Sequence, residues 1–98
     1  MAADNPRSKR SPRFELGQVV ITRNALEALA PEDVQRSLAR HVSGDWGEVD
    51  SHDRLVNEQA LASGCRIFSV YRGRGGQRFW VITEADRSST CVLLPEDY

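Results

Sequence analysis

What the chain has little of narrows it first. It contains two cysteines, Cys65 and Cys91, and two histidines, His41 and His52. Two thiols cannot build a disulfide framework or the common four-ligand zinc site. None of these four residues falls at the close pair spacing of a metal site. The reading is therefore no metal and no cofactor. No apolar run approaches the ~18–20 residues of a membrane span, and the polar N-terminus lacks the apolar core of a secretory signal. A cytoplasmic chain without membrane contact is expected. Lysine is almost missing: Lys9 is the single one beside twelve arginines. Arginine's planar fork suits carboxylate and phosphate and stacks on aromatic rings, so the bias fits a recognition surface; a GC-rich genome gives the same bias.

An excess of either charge is also missing. The net charge is −1, but it is a cancellation of four blocks. Residues 1–13 carry +3, residues 14–63 carry −5, residues 64–83 carry +4 with no acid, and residues 84–98 carry −3. Leu, Ile, Val and Phe number 23 among 98 residues, a modest supply that nonetheless folds when self-repulsion is low. A chain of this length makes one domain.

Residues 1–13 hold two prolines, two serines and four bases with no hydrophobic period, and read as a disordered basic arm. The single domain is expected over residues 14–98. Gln18–Thr22 reads as a short strand, and Asn24 with Glu27 as the capping box of a short helix over Ala25–Leu29. Pro31 opens a second helix whose Val34, Leu38 and Val42 recur at i, i+4 and i+8 as a buried stripe. Gly44 stops it. Trp46, between Gly44 and Gly47, either fills the core or stands out as an anchor for a partner. A third helix, Ser51–Ala62, begins on Asp50 or Ser51, has a thin apolar stripe and ends at Gly64.

From Cys65 the period becomes two. Cys65–Arg72, Gln77–Glu84 and Ser89–Leu94 read as an antiparallel three-stranded meander. The expected fold class is α+β: a short N-terminal strand, two to three helices and that meander. Four-residue loops would set Val70 opposite Phe79 and Phe68 opposite Val81. The core face would then carry Phe68, Val70, Phe79, Val81, Val92 and Leu94. The opposite face would carry Ile67, Ser69, Tyr71, Trp80, Ile82, Cys91 and Leu93. A half-solvated sheet is polar on that side; this one is apolar. Either the chain covers it or it marks an interface, with a second copy or another protein. Ile67, Tyr71, Trp80, Ile82 and Leu93, with Trp46, are the partner-binding candidates.

No catalytic constellation is legible. A Cys–His pair would need a spatial adjacency that spacing does not show. Gly73-Arg74-Gly75-Gly76 joins two strands and opens no helix, so phosphate-loop logic does not apply. Arg72, Arg74 and Arg78 around that hairpin are the best phosphate or carboxylate contacts. In Glu84-Ala85-Asp86-Arg87-Ser88, Asp86 and Ser88 read as turn residues, with Glu84 pairing to Arg87. Pro95–Tyr98 is a free tail or a docked strand end.

The order strand, two helices, meander resembles the RelE/ParE toxin fold. That resemblance implies a partner of an antitoxin, acting on messenger RNA at the ribosome or on gyrase; Tyr71, Arg72, Arg78 and Tyr98 are the residues available for such work. A second resemblance rests on Leu16-Gly17-Gln18-Val19-Val20, Asn24-Ala25-Leu26, Gly44-Asp45-Trp46-Gly47, Asn57-Glu58 with Ala60-Leu61, Trp80 through Ser88, and Leu93 through Tyr98. Across residues 14–98 the chain is similar to small proteins of plasmids and integrative elements. Their usual labels are plasmid-related protein and type I restriction subunit M. A methyltransferase needs a long doubly wound domain and an Asn/Asp-Pro-Pro-aromatic motif, and this chain has no Pro-Pro. The resemblance thus implies a mobile element rather than a reaction. The resulting expectation is a non-enzymatic mobile-element protein that acts by binding a macromolecular partner, as an inhibitor of a host defence complex of the anti-CRISPR or anti-restriction kind. The alternatives are a toxin of the RelE/ParE kind and a nucleic-acid-binding accessory protein with weak, salt-sensitive affinity.

Overall fold

A computed structural model of the protein describes residues 11–98. Most of the basic arm expected over residues 1–13 lies outside the described residues. Arg13 is docked: its backbone N–H donates to the Val42 carbonyl at 2.8 Å, and its guanidinium to both Glu58 oxygens at 3.1 and 3.3 Å.

The elements run β1 (Gln18–Ile21), α1 (Arg23–Ala28), α2 (Pro31–Val42), α3 (Ser51–Ser63), β2 (Ile67–Arg72), β3 (Arg78–Thr83), β4 (Ser89–Leu93) and a 3-10 turn, Pro95–Asp97. The class is α+β. Strands β2, β3 and β4 pair antiparallel. The sheet is nevertheless a mixed four-stranded one, ordered β1-β4-β3-β2, because β1 pairs parallel with β4. The expected three-stranded meander is corrected on this point. A parallel neighbour needs a long crossover and leaves no local turn signal, and here three helices and the β2–β3 hairpin lie between β1 and β4.

Thr22, not Asn24, caps α1: its hydroxyl accepts from the Ala25 N–H at 3.1 Å. Asn24 lies inside the first turn, where its amide donates to Asp97 instead, at 2.7 Å. In α2 the buried residues are Asp33, Ser37 and His41. The buried stripe is thus rotated one residue from the expected apolar one, and Val34 and Leu38 pack only partly buried against the core. Helix α3 starts on Asp50, whose carboxylate accepts from Asp53 N–H at 2.8 Å, and ends on left-handed Gly64.

The β2–β3 register differs by one residue from the expected one. Gly73 N–H donates to Gln77 C=O, Gly76 N–H donates to Gly73 C=O, each at 2.9 Å, and Gly76 adopts φ 87°. That left-handed residue adds one position to the turn. Val70 therefore sits opposite Trp80, Tyr71 opposite Phe79 and Phe68 opposite Ile82. Because side chains alternate, the slip exchanges the faces of β2. Ile67, Ser69 and Tyr71 join Phe79, Val81 and Val92 on the helix side; Phe68 and Val70 join Trp80, Ile82 and Leu93 on the outer side. The β3–β4 pairing of Val81 with Val92 holds.

Ala25 of α1 and Leu29, which follows it, pack on Tyr71, Phe79, Val81, Val92 and Leu94 in one cluster. A second cluster gathers Trp46, Val49, Ala60, Ile67 and Val70 around the β2 edge. That edge is closed by polar means. Asn57 of α3 donates to Phe68 C=O at 2.7 Å and accepts from Phe68 N–H at 3.1 Å. Next along, Val70 N–H donates to Trp46 C=O and Glu48 N–H to Val70 C=O, at 3.1 and 2.7 Å. Gly47, at φ 74°, makes the approach feasible, since a Cβ there would collide with the Val70 carbonyl.

Candidate functional site

Polar chemistry is concentrated first inside the molecule. His41, fully buried, lies between Ser69 Oγ at 2.6 Å from Nδ1 and Thr83 Oγ1 at 2.9 Å from Nε2. Thr83 Oγ1 lies 2.6 Å from Thr90 Oγ1, and Thr90 donates to the Leu16 carbonyl at 2.7 Å. The last bond sets the direction of the rest. With its proton committed to Leu16, Thr90 accepts from Thr83, Thr83 accepts from His41 Nε2–H, and Nδ1 accepts from Ser69. Burial, with the Arg87 charge as a lesser cause, pushes His41 down to about 3. The ring is thus neutral, and Phe14 and Trp46 close over it edge to face at 5.3 and 6.0 Å.

The hairpin arginines singled out from sequence all meet carboxylates of this chain. Arg72 binds both Glu48 oxygens, at 3.1 and 3.2 Å. Arg78 comes within 3.9 Å of the same carboxylate. Arg74 gives its backbone N–H, Nε and Nη2 to Asp33 at 2.9, 3.2 and 3.3 Å. The Arg74 backbone bond is the leading cause that holds Asp33 below the usual carboxylate value, and Arg72 does the same for Glu48. Arg40 forks onto Asp45 at 2.8 and 3.1 Å and lies over the Tyr71 ring.

The partner-binding candidates separate. Ile67, Tyr71 and Trp46 are interior: Tyr71 donates to Asp45 C=O at 2.6 Å and Trp46 Nε1–H to Glu58 at 3.0 Å. Ile82 and Leu93 are buried on the outer side, and Trp80 is half-buried there. Arg87, expected to pair with Glu84, instead gives its guanidinium to the carbonyls of Ala60, Cys65, Glu84 and Ala85 at 2.7–3.1 Å. Glu84 pairs with Arg66 at 3.3 Å. The C-terminal residues are docked by Asp97, which accepts from Thr22 Oγ1 at 2.6 Å, Asn24 at 2.7 Å and Leu94 N–H at 3.0 Å.

Among the described residues, two sizeable openings are lined mainly by apolar side chains. On the helix side, a groove of about 290 Å3 runs between β1 and helices α1 and α2, lined by Val19, Val20, Leu26, Leu29, Val34 and Leu38 among others, with Gln35 its one polar side chain. Val19, Val20 and Leu26 are 43, 42 and 62% exposed. β1 is the sheet's edge strand there. Gln18 and Thr22 N–H groups turn inward to β4, so by alternation the Val19 and Ile21 backbone groups turn outward. On the outer side, a cleft of about 320 Å3 is lined by Arg66, Phe68, Trp80, Ile82 and Tyr98. Sequence reading missed the groove because Val19, Leu26 and Val34 are ordinary core residue types whose exposure depends on where the sheet stops.

Among the described residues, no group of three or more His, Cys, Asp and Glu side chains is placed to hold a metal ion, and no helix is long and apolar enough to cross a membrane. No protein-family model, curated protein or solved structure matches the chain.

Proposed function

We propose that the protein is a non-enzymatic binding module whose partner is another protein, which adds an extended apolar segment to the open edge of β1. The observation that carries this is the juxtaposition of a strand edge that is unpaired among the described residues with a groove lined by no charged side chain. Backbone groups along such an edge supply affinity for any extended chain, and side-chain pockets beside it supply selectivity. A second copy pairing through its own β1 is the competing occupant, since it would bring another exposed Val19, Val20 and Leu26 to the same edge. The resemblance to mobile-element proteins points the search for the partner toward host defence complexes.

Panning a random peptide display library against the folded chain tests this whatever the identity of the partner. Peptides with alternating β-branched or apolar residues and no central proline should be enriched. Their binding should slow hydrogen exchange at the Val19 and Ile21 amides, and Leu26→Asp should abolish it. Failure to enrich such peptides, or binders indifferent to Leu26→Asp, would overturn the proposal. So would a concentration-dependent dimer that Leu26→Asp disperses, since that would assign the edge to a second copy.

A further inference from the structure

The outer cleft differs in chemistry from the groove. Phe68 on β2 meets Trp80 on β3 edge to face, with centroids 5.2 Å apart and planes at 79°. Tyr98 stands against Trp80 at 5.6 Å and 66°. Both neighbours are therefore steep to the indole plane, and Tyr98 is 74% exposed. The one charged residue in the lining is Arg66. Its guanidinium touches the Tyr98 hydroxyl and Glu84, each at 3.3 Å, and its side chain is still half exposed. Arg78 lies two residues before Trp80 on the same strand, so it leaves the same face about 7 Å away. Among the described residues it is ion-paired at 3.9 Å with Glu48, a carboxylate it shares with Arg72. Arg66, Phe68, Trp80 and Ile82 come from the +4 block, residues 64–83, whereas Tyr98 and the Glu84 paired with Arg66 come from the −3 block, residues 84–98.

An occupant that is planar and apolar at its centre, with anionic flanks that take the place of Glu84 at Arg66 and Glu48 at Arg78, matches this lining. A methylammonium group would meet the Arg66 charge, and an aliphatic side chain would offer neither a flat face to Trp80 nor an acceptor to either arginine. A duplex offers no base to stack, because its bases already stack on each other. We propose that this face binds single-stranded nucleic acid, with a base stacked on Trp80 between Phe68 and Tyr98 and the flanking phosphates at Arg66 and Arg78.

Intrinsic fluorescence reads the contact directly, because Trp46, the other indole, is interior. Titration with an oligothymidylate of about eight nucleotides, within the usual site size of such surfaces, should quench the Trp80 share of the emission. Trp80→Leu and Tyr98→Ala, each confirmed folded by circular dichroism, should weaken binding about tenfold, the usual loss of one stacking ring. Arg66→Gln and Arg78→Gln should each lower the salt slope of binding by about one. Since Tyr98 is exposed, its variant keeps the test valid if Trp80→Leu fails to fold. Absence of quenching at low salt, equal affinity for duplex or for free thymidine monophosphate, or affinity unchanged in both aromatic variants would overturn the proposal. Burial of this face by a protein partner that leaves the oligonucleotide unbound would do the same.

Discussion

At the scale of the residue, His41 carries the most consequence for stability. Its folded value of about 3 lies below the ordinary 6.5, so the native ring refuses a proton that the unfolded chain accepts. The associated stability is complete above pH 6.5 and drains as pH falls toward 3, at up to about 1.4 kcal/mol per pH unit. Urea unfolding at pH 7.5, 6.0 and 5.0 should show that slope, and a His41→Gln variant, less stable throughout, should lose it. An unchanged midpoint from pH 7.5 to 5.0 in the parent chain would refute the assignment. The carboxylates held low by arginine, Asp33, Glu48 and Glu58, contribute below that window, since their ordinary values are already near 4. Nothing in the spacing of His41 announces this role: its partners lie 28 and 42 residues away, and a histidine near a helix's end reads as surface.

At the scale of the element, the β2 edge is sealed by one amide side chain and one three-residue bridge. Asn57 imitates a backbone neighbour toward Phe68. Asn57→Ala should cost about 2 kcal/mol, because it orphans a donor and an acceptor together; Asn57→Asp should cost at least as much at neutral pH, because it sets a buried carboxylate oxygen against the Phe68 carbonyl. Chemical denaturation of the two variants decides it, and an Asn57→Asp chain as stable as the parent would show that the donated bond is without weight. The helices α2 and α3 were legible in sequence because Pro31, Asp50 and Gly64 punctuate them. The β2–β3 register was not. A hairpin of four glycine-rich residues and one of five look alike, and β2 alternates Phe68 and Val70 against Ile67 and Tyr71, apolar on either side. Alternation identifies faces only when one of them is polar. The parallel partnership of β1 with β4 was hidden for a different reason, since the strands are separated by every helix in the fold. Of the candidate site residues, Trp80, Tyr98 and the arginines occupy accessible positions; the other apolar candidates belong to a face that the extra turn residue divides in two.

At the scale of the molecule, the chain is drawn closed by Asp97, which ties the C-terminal turn to the start of α1. Hydrogen bonds from Thr22, Asn24 and Leu94 hold its carboxyl below the ordinary 3.8. The clasp is therefore complete above that value and is lost only as pH falls beneath it. Asp97→Ala should release Pro95–Tyr98, exposing Trp80: its emission should shift to the red and the Leu94 amide should exchange faster, with α2 and α3 unaffected. Unchanged emission would mean that Tyr98 stays in place without the clasp. The two openings lie on opposite sides of the sheet, one uncharged and one flanked by arginine, so a protein strand and a nucleic-acid strand would not compete for the same surface.

The hydrogen-bonded run from Ser69 through His41, Thr83 and Thr90 to Leu16 also acts as a key. It takes one hydroxyl from each of β2, β3 and β4, plus a carbonyl from the approach to β1, and every proton in it has a single assigned direction. If β2 slides by one residue, Phe68 or Val70 replaces Ser69 opposite the imidazole, and a buried nitrogen loses its partner. The apolar residues of this sheet would accept that slide; the imidazole would not. A chain whose strands are greasy on both faces thus keeps its alignment through its least greasy atoms.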